Sequence, residues 1–449
     1  MRYIERIIAA ALIAMSSYAL NAKDIMTLKD CMKYAIEHST DMKVQGMDMA
    51  DARIAQRDAV LKAFTPSLSA GTYAYSNFGR SVDPETNTYV STTSFNNGYS
   101  VSGSLVIFNG FEAVNNVKIA KTAVKMGISE EQQLKDNISL AVMEAYYNVV
   151  FYRHMAQTME EQVRTSKNAV AYVKRQEELG QKGYADVIEM EAELADREYD
   201  LISYSNMITD SMLTLKELMT WPMEEELNID TEVDEQAYIR ITPENEVEGI
   251  VEQAERSLPS IAIARGRMQN AAVELKTAKW QFSPYITLNA GWSTSYYTYP
   301  GQHGYVPTPF WNQFRNNGGE YIQLSLSFPI YDRLSRFSNL SRKKNAYTRA
   351  SAEYDRKVRQ VHAEVTRAVE DRDGAAAAFR QADKRAEVQN EAYRMNQKKF
   401  EQGLLSPLEY QRAADNWMKA RSSRINSLLT YYIKRSVVDY YNGISYIEQ

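Results

Sequence analysis

Only one cysteine, Cys31, occurs in 449 residues. A disulfide framework and a thiolate metal cage within one chain are therefore excluded. Glycine and proline are scarce, at 19 and 11 copies, roughly half of average usage. That scarcity favours long uninterrupted elements over loops. Charge of one sign is not in excess: 52 Lys plus Arg stand against 57 Asp plus Glu, a net −5, which gives no reason to expect nucleic acid. Beyond the N-terminus no apolar run approaches the roughly 20 residues that a membrane helix needs. The four histidines, His38, His154, His303 and His362, are scattered and lack ligand spacing. No GxxxxGK, GxSxG or HExxH signature is present. No catalytic, cofactor or metal site is expected, and the chain reads as a non-enzyme. An apolar fraction of 44% still excludes wholesale disorder.

The N-terminus is present in full pattern. Arg2 and Arg6 precede the apolar run Ile7 to Met15, and small residues follow up to Ala22. Residues 1–22 read as a secretory signal peptide. Cys31 follows charged Lys29 and Asp30 where a lipid-anchor site needs small neutral residues, so it is expected as a small hydrophobe in a helix.

The chain then repeats itself. Phe64-Thr65-Pro66 returns as Phe282-Ser283-Pro284, Leu105 to Gly110 returns as Phe328 to Arg333, and Lys182-Gly183-Tyr184 returns as Gln402-Gly403-Leu404. The offsets are about 220 residues, far longer than a solenoid period. The organisation is a duplicated half: residues 23–220, an acidic linker at 221–242 read as a solvated connector, and residues 243–449. Each half reads as helix, strand, polar loop, strand, very long helix, glycine break and return helix. The first helical stretch, Leu28 to Phe64 or Pro243 to Phe282, is interrupted near His38-Ser39-Thr40 and near Pro259. The long helices are expected at about Phe111 to Leu179 and Leu334 to Gln402. Leu134, Ile138, Ala141, Ala145 and Val149 mark an apolar stripe at helical spacing. A rod of that length, about 104 Å, must be paired side by side in a coiled-coil-like bundle.

Four segments read as extended instead, three of them alternating clearly and Pro66 to Phe78 less cleanly. Val101, Leu105 and Ile107 oppose serines. Ile286, Leu288 and Trp292 oppose Thr287, Asn289 and Ser293. Ile322, Leu324, Leu326 and Phe328 oppose Tyr321, Gln323 and Ser325. Such strands fit a membrane barrel with the apolar face on lipid and the polar face on water. Alternation alone does not separate this from a soluble sheet with one face on a core. Counting bears on the choice: four strands leave open edges that lipid does not tolerate, and the smallest membrane barrels have eight strands. Closure needs at least two copies.

The order and duplication of these tokens, with Phe108-Asn109-Gly110-Phe111 at the strand-to-helix switch, resemble the TolC family of outer membrane efflux proteins, the outer membrane factors. The resemblance spans essentially the whole mature chain. It implies a mainly α fold with a membrane β-barrel contribution, closing in a homotrimer as a 12-stranded β-barrel and a 12-helix α-barrel. It implies a passive exit duct in the outer membrane, with helices in the periplasm. The duct would serve efflux or type I secretion, joined to a periplasmic adaptor and an inner-membrane RND or ABC transporter. Outer membrane lipid would be its other partner. The resemblance places Glu189 and Glu409 at the periplasmic aperture, with Arg412 beside them where another acid is expected. It places Gly183, Tyr184, Ala185, Gly403, Leu404, Leu405 and Ser406 at adaptor-contacting tips, with Leu404 and Leu405 as an apolar patch. Acids in a first helical turn also stabilise the helix itself. A trimeric coiled-coil surface adhesin anchored by strands is the competing expectation.

Overall fold

The computed structural model describes residues 25–82, 87–91, 93–233, 247–300, 302 and 304–449. The expected signal peptide at 1–22 and the 234–242 end of the linker lie outside the described residues.

The first half runs α1 (Leu28–His38), α2 (Thr40–Phe64), β1 (Ser67–Asn77), β2 (Arg80–Val82), β3 (Tyr89–Ser91), β4 (Ser94–Asn109), α3 (Glu112–Glu178) and α4 (Tyr184–Met219). The second runs α5 (Val247–Ser257), α6 (Pro259–Trp280), β5 (Tyr285–Thr298), α7 (Phe310–Asn316), β6 (Gly319–Ser327), α8 (Ser335–Glu401) and α9 (Pro407–Tyr441). Thr27 starts α1 with a reciprocal capping box to Asp30, so both end groups are satisfied by side chains. The break after His38 is a local one: Ser39 accepts from Met42 N–H through its hydroxyl, and the chain resumes as α2. Among the described residues no helix is long and apolar enough to cross a membrane.

The two halves match at their long helices and at the joints that precede them. The helices α3 and α8 are both 67 residues long, and their bounds are offset by 223. The joints before them match at the same offset. Gly110 and Phe111 have φ of 66° and 63°, and Arg333 and Leu334 have 58° and 64°. Asn109 Oδ1 accepts from Ala113 N–H, and Asp332 Oδ2 accepts from Arg336 N–H. Each switch is two consecutive left-handed residues followed by a side-chain cap. Gly110 is obligatory for a second reason: a Cβ there would lie 2.4 Å from the Trp280 carbonyl oxygen.

The chain divides into two units. One holds 1–46, 129–262 and 356–449, where most of the helical packing lies. Its largest core gathers Cys31, Met32 and Ala35 of α1, Val142, Met143, Tyr146, Val149 and Val150 of α3, and Leu215 and Met219 of α4. Cys31 is fully buried, as the sequence implied, and burial pushes its thiol up to about 12. The first part of the linker is not a solvated connector. Leu227 and Ile229 are buried. Met26 N–H donates to Asn228 O at 2.9 Å, Asp230 N–H donates to Met26 O at 3.0 Å, and the Tyr146 hydroxyl donates to Asp230 O at 2.5 Å. The buried Lys216 ammonium donates to the Met223 and Glu225 carbonyls. The acid count of this segment hid its two apolar anchors.

The other unit, 47–128 and 263–355, contains the sheet. Strand order is β1-β4-β5-β6, antiparallel throughout. The described residues hold six strands, not four: β2 and β3 form a separate hairpin in the first loop. The second loop, read from the sequence as a polar loop, contains α7.

Candidate functional site

Register decides the character of the sheet. Across β4 and β5 Val101 lies opposite Trp292 and Leu105 opposite Leu288. Across β5 and β6 Leu288 lies opposite Leu324, Ile286 opposite Leu326, and Ala290 opposite Ile322. These residues therefore share one face, because directly paired residues point the same way. The opposite face carries Ser69, Ser102 and Gly291 in one row, and Ser100 and Ser293 in the next. Ile107 is the extra residue of a bulge between Val106 and Phe108. Phe328 lies one residue beyond β6. Ile322, Leu324, Leu326 and Phe328 are 82%, 66%, 56% and 62% exposed, a run of large apolar side chains that no core covers within the chain.

β4 and β5 are 16 and 14 residues long, β1 is 11 and β6 is 9. A tilted membrane strand needs about 9–11. β1 and β6 are the edges, so one side of each carries unpaired backbone groups, a liability in any solvent and untenable in lipid.

The far ends of the helical hairpins form a second region. At the first turn Gly180 N–H donates to Glu177 O and Gln181 N–H to Gln176 O; at the second Gly403 N–H donates to Phe400 O and Leu404 N–H to Lys399 O. Gly180 and Gly403 have φ of 69° and 73°. These are equivalent left-handed helix ends, offset by 223. Pairing Gly183 with Gly403 at 220 is thus corrected: Gly183 is the N-cap of α4, and its counterpart is Ser406, the N-cap of α9. Three residues on, Asp186 accepts from Gly183 N–H and Glu409 from Ser406 N–H. Glu409 also accepts from the Ser406 hydroxyl at 2.9 Å. The Ser406 backbone and side-chain hydrogen bonds hold its carboxyl below the usual range, with a smaller pull from Arg412. The structural counterpart of Glu189 is Arg412, so Glu189 and Glu409 are not equivalent positions.

Tyr184 and Leu404 are 69% and 72% exposed at these turns, and Gly183, Ala185, Gly403 and Ser406 are exposed beside them. Leu405 is not part of that surface. It packs against a tip core of Val173, Val187, Met190, Phe400 and Tyr410. There Phe400 stacks on Tyr410 with centroids 4.7 Å apart, and Tyr393 on Trp417 at 5.1 Å. The Tyr172 hydroxyl donates to Glu401 O at 2.8 Å, tying α3 to the end of α8.

A polar cluster lies in the third and fourth turns of α4, about 14–20 Å from its start. Glu193 and Arg197 are 6% and 7% exposed. Arg197 Nε donates to Glu193 Oε1 at 2.5 Å, its Nη2 to Asp415 Oδ1, and Gln411 Nε2 to Glu193 Oε2. Burial pushes the Glu193 carboxyl up, more than the charge and hydrogen bond of Arg197 pull it down. Burial also works against the Arg197 charge, but the bonds to Asp415 and Glu193 outweigh it and hold the guanidinium protonated. The cluster joins α4 of the first hairpin to α9 of the second. Among the described residues no group of His, Cys, Asp and Glu is arranged to hold a metal ion.

The profile of the family described as outer membrane efflux protein matches residues 32–220 and 250–436. The chain belongs to this family. The outer membrane efflux protein is a channel and not an enzyme, an exit duct of tripartite efflux systems with its helical part in the periplasm. Family membership implies trimeric assembly and work with an adaptor and an inner-membrane pump. Solved structures share its fold. The Campylobacter jejuni CmeC outer membrane channel superposes with a TM-score of 0.77 at 14% identity, covering 94% of this chain and 85% of that one. Vibrio cholerae VceC does so at 0.75 and 16%, covering 94% and 96%. The Neisseria gonorrhoeae MtrE outer membrane channel, solved in its open state, gives 0.74 and 16%, covering 92% and 88%. No curated protein matches this outer membrane efflux protein by sequence.

Sequence reasoning missed the Glu193–Arg197–Asp415 cluster. The two carboxylates and the guanidinium sit among many charged residues on long helices, most of them solvated. One signal was available: Glu193 and Arg197 are four residues apart, the spacing of a helical ion pair.

Proposed function

We propose that three copies of the chain join β6 of one to β1 of the next, forming a twelve-stranded barrel through which small molecules leave the cell. The observation that carries this is the in-register, two-faced sheet with two open edges. Lateral pairing satisfies the edge groups, puts the apolar rows on lipid and turns the serine rows toward a water-filled lumen. The chain itself supplies no energy, so an inner-membrane RND or ABC pump drives transport through a periplasmic adaptor. The adaptor docks on the hairpin turns, where Tyr184 and Leu404 offer exposed apolar surface beside Gly183, Ala185, Gly403 and Ser406.

The aperture lies at the same turns. Glu189 and Arg412, equivalent in position and opposite in charge, set its electrostatics, while Glu409 is largely occupied in capping α9. Alternating charge makes the opening less cation-selective than a ring of six carboxylates would be. The test is planar-bilayer conductance of the detergent-extracted protein together with its mass. Three chains per particle and cation selectivity that falls in Glu189→Gln, but little in Glu409→Gln, are expected. A strictly monomeric, non-conducting particle overturns the duct. Equal effects of the two substitutions overturn the aperture assignment.

A further inference from the structure

The loop between β5 and β6 does something the barrel does not require. β6 begins at Gly319, opposite Ser293, whereas β5 continues to Thr298. The outer part of β5 therefore has no strand on that side. The helix α7 takes the place of the missing strand. Gln313 Oε1 accepts from Tyr297 N–H at 3.0 Å, and its Nε2 donates to Tyr297 O at 2.9 Å. Asn317 Nδ2 donates to Ser295 O, and the Thr294 hydroxyl donates to Phe314 O. One side-chain amide thus copies a strand's pair of hydrogen bonds.

The same helix lies on the apolar face. Phe310 and Phe314 meet the Tyr99 ring at 6.0 and 5.5 Å, Phe314 meets Trp292 at 5.5 Å and Phe310 meets Tyr296 at 5.3 Å. Tyr99, Trp292 and Tyr296 belong to the face of Val101 and Leu288 by register. With its inner side committed, α7 presents Trp311, 67% exposed, and Arg315, exposed four residues later and hence on the same side of the helix. This is the loop end of the sheet, away from the strand-to-helix joints at Gly110–Phe111 and Arg333–Leu334; in the barrel proposed above it is the end that faces the cell exterior.

We propose that α7 is a lipid-docking element. It extends the apolar band outward, seats Trp311 in the headgroup layer of the outer leaflet, and places Arg315 against the phosphates of anionic lipid. An indole is suited to that layer because one edge is polar and its body is not, and a guanidinium pairs with phosphate through two parallel hydrogen bonds. Continuity with the lipid-facing rows names the occupant: a helix stacked on rings that face the membrane has the membrane as its own outer neighbour. The inference rests on the barrel reading, so the experiment carries a control for it.

Spin labels are placed by Trp311→Cys, by Leu324→Cys on the apolar face, and by Tyr184→Cys at the exposed turn, each in the full-length protein; buried Cys31 does not label. In nanodiscs containing phosphate-bearing lipid A, relaxation by oxygen and by a water-soluble nickel chelate reads depth. The expected order is Leu324 deep in lipid, Trp311 at headgroup depth and Tyr184 in water. A Trp311 label as nickel-accessible as that at Tyr184, with Leu324 in lipid, overturns the proposal and leaves the barrel standing. Both labels in water overturn both. A Trp311 label shielded from both reagents assigns the surface to a second copy of the chain and overturns the lipid assignment. For Arg315, the gain in thermal stability on adding lipid A to zwitterionic nanodiscs is expected to be mostly lost in Arg315→Gln, and an unchanged gain removes phosphate from the account.

Discussion

Replacing Arg197 by alanine leaves Glu193 buried without its charged partner. In the intact protein the carboxylate accepts from Arg197 and from Gln411 while Asp415 holds the other side of the guanidinium. Breaking a buried pair from one side costs about 3–5 kcal/mol. If that cost falls on the local opening of α4 against α9, the opening constant rises roughly 10²- to 4 × 10³-fold. Hydrogen exchange by mass spectrometry on peptides spanning 187–200 and 408–420 reads it directly, with α1 peptides as an internal reference. The second substitution Glu193→Gln, made in the same chain, removes the orphan charge and is expected to restore most of the protection. The sign of the pH effect follows from burial. Glu193 has its carboxyl raised, so its contribution to stability is fully present below the ordinary glutamate value of about 4.3. That contribution is lost as pH rises through the raised folded value. The Arg197→Ala defect is therefore smaller in mild acid than at neutral pH. Exchange that rises less than about tenfold, or a defect that Glu193→Gln does not relieve, refutes the reasoning.

Other outcomes follow from the same geometry. Arg333 sits at φ 58°, so Arg333→Gly is expected to raise thermal stability by about 0.5–1 kcal/mol, whereas Gly110→Ala, which pushes a Cβ to 2.4 Å from Trp280 O, lowers it. On the apolar face, Leu324→Arg is expected to cost about 2–4 kcal/mol in membrane-reconstituted unfolding, while Gln323→Arg on the opposite face costs little; equal costs would mean that the faces are misassigned. Glu409 has a depressed carboxyl. Its support of the α9 N-terminus is present above the ordinary glutamate value of about 4.3 and lost as pH falls through the lower folded value. Exchange at 406–412 is expected to rise in acid, and the rise to vanish in Glu409→Gln.

The long helices, their breaks and the four sheet strands are legible in the sequence because each rests on a local rule. The expected helix from about Phe111 to Leu179 is observed at Glu112–Glu178, and the interruption near His38 falls between α1 and α2. Periodicity and proline position carry that information within a few residues of where it is used. What was not legible depends on register between distant segments. Gly183 sits in a turn as Gly403 does, but only the hydrogen-bond pattern reveals that Gly180 is the equivalent residue. The second loop showed only its polar composition because α7 is too short for a periodic signal, and it packs on Tyr99, more than 200 residues away, as well as on Tyr297 of the adjoining strand. Leu405 and Leu404 are adjacent and alike, yet one packs against the tip core and the other is exposed. The path of the backbone in the turn between α8 and α9, not residue type, separates them.

The matched turns have a consequence for recognition. Their backbones coincide at an offset of 223, but the side chains they carry do not: Tyr184 stands where Pro407 does, and Glu189 where Arg412 does. A protein with two identical arms would find congruent shapes with unlike chemistry at the pair of hairpins. It must grip one hairpin better than the other, or be itself asymmetric. Gene duplication supplied two sockets from one mould, and divergence has keyed them separately.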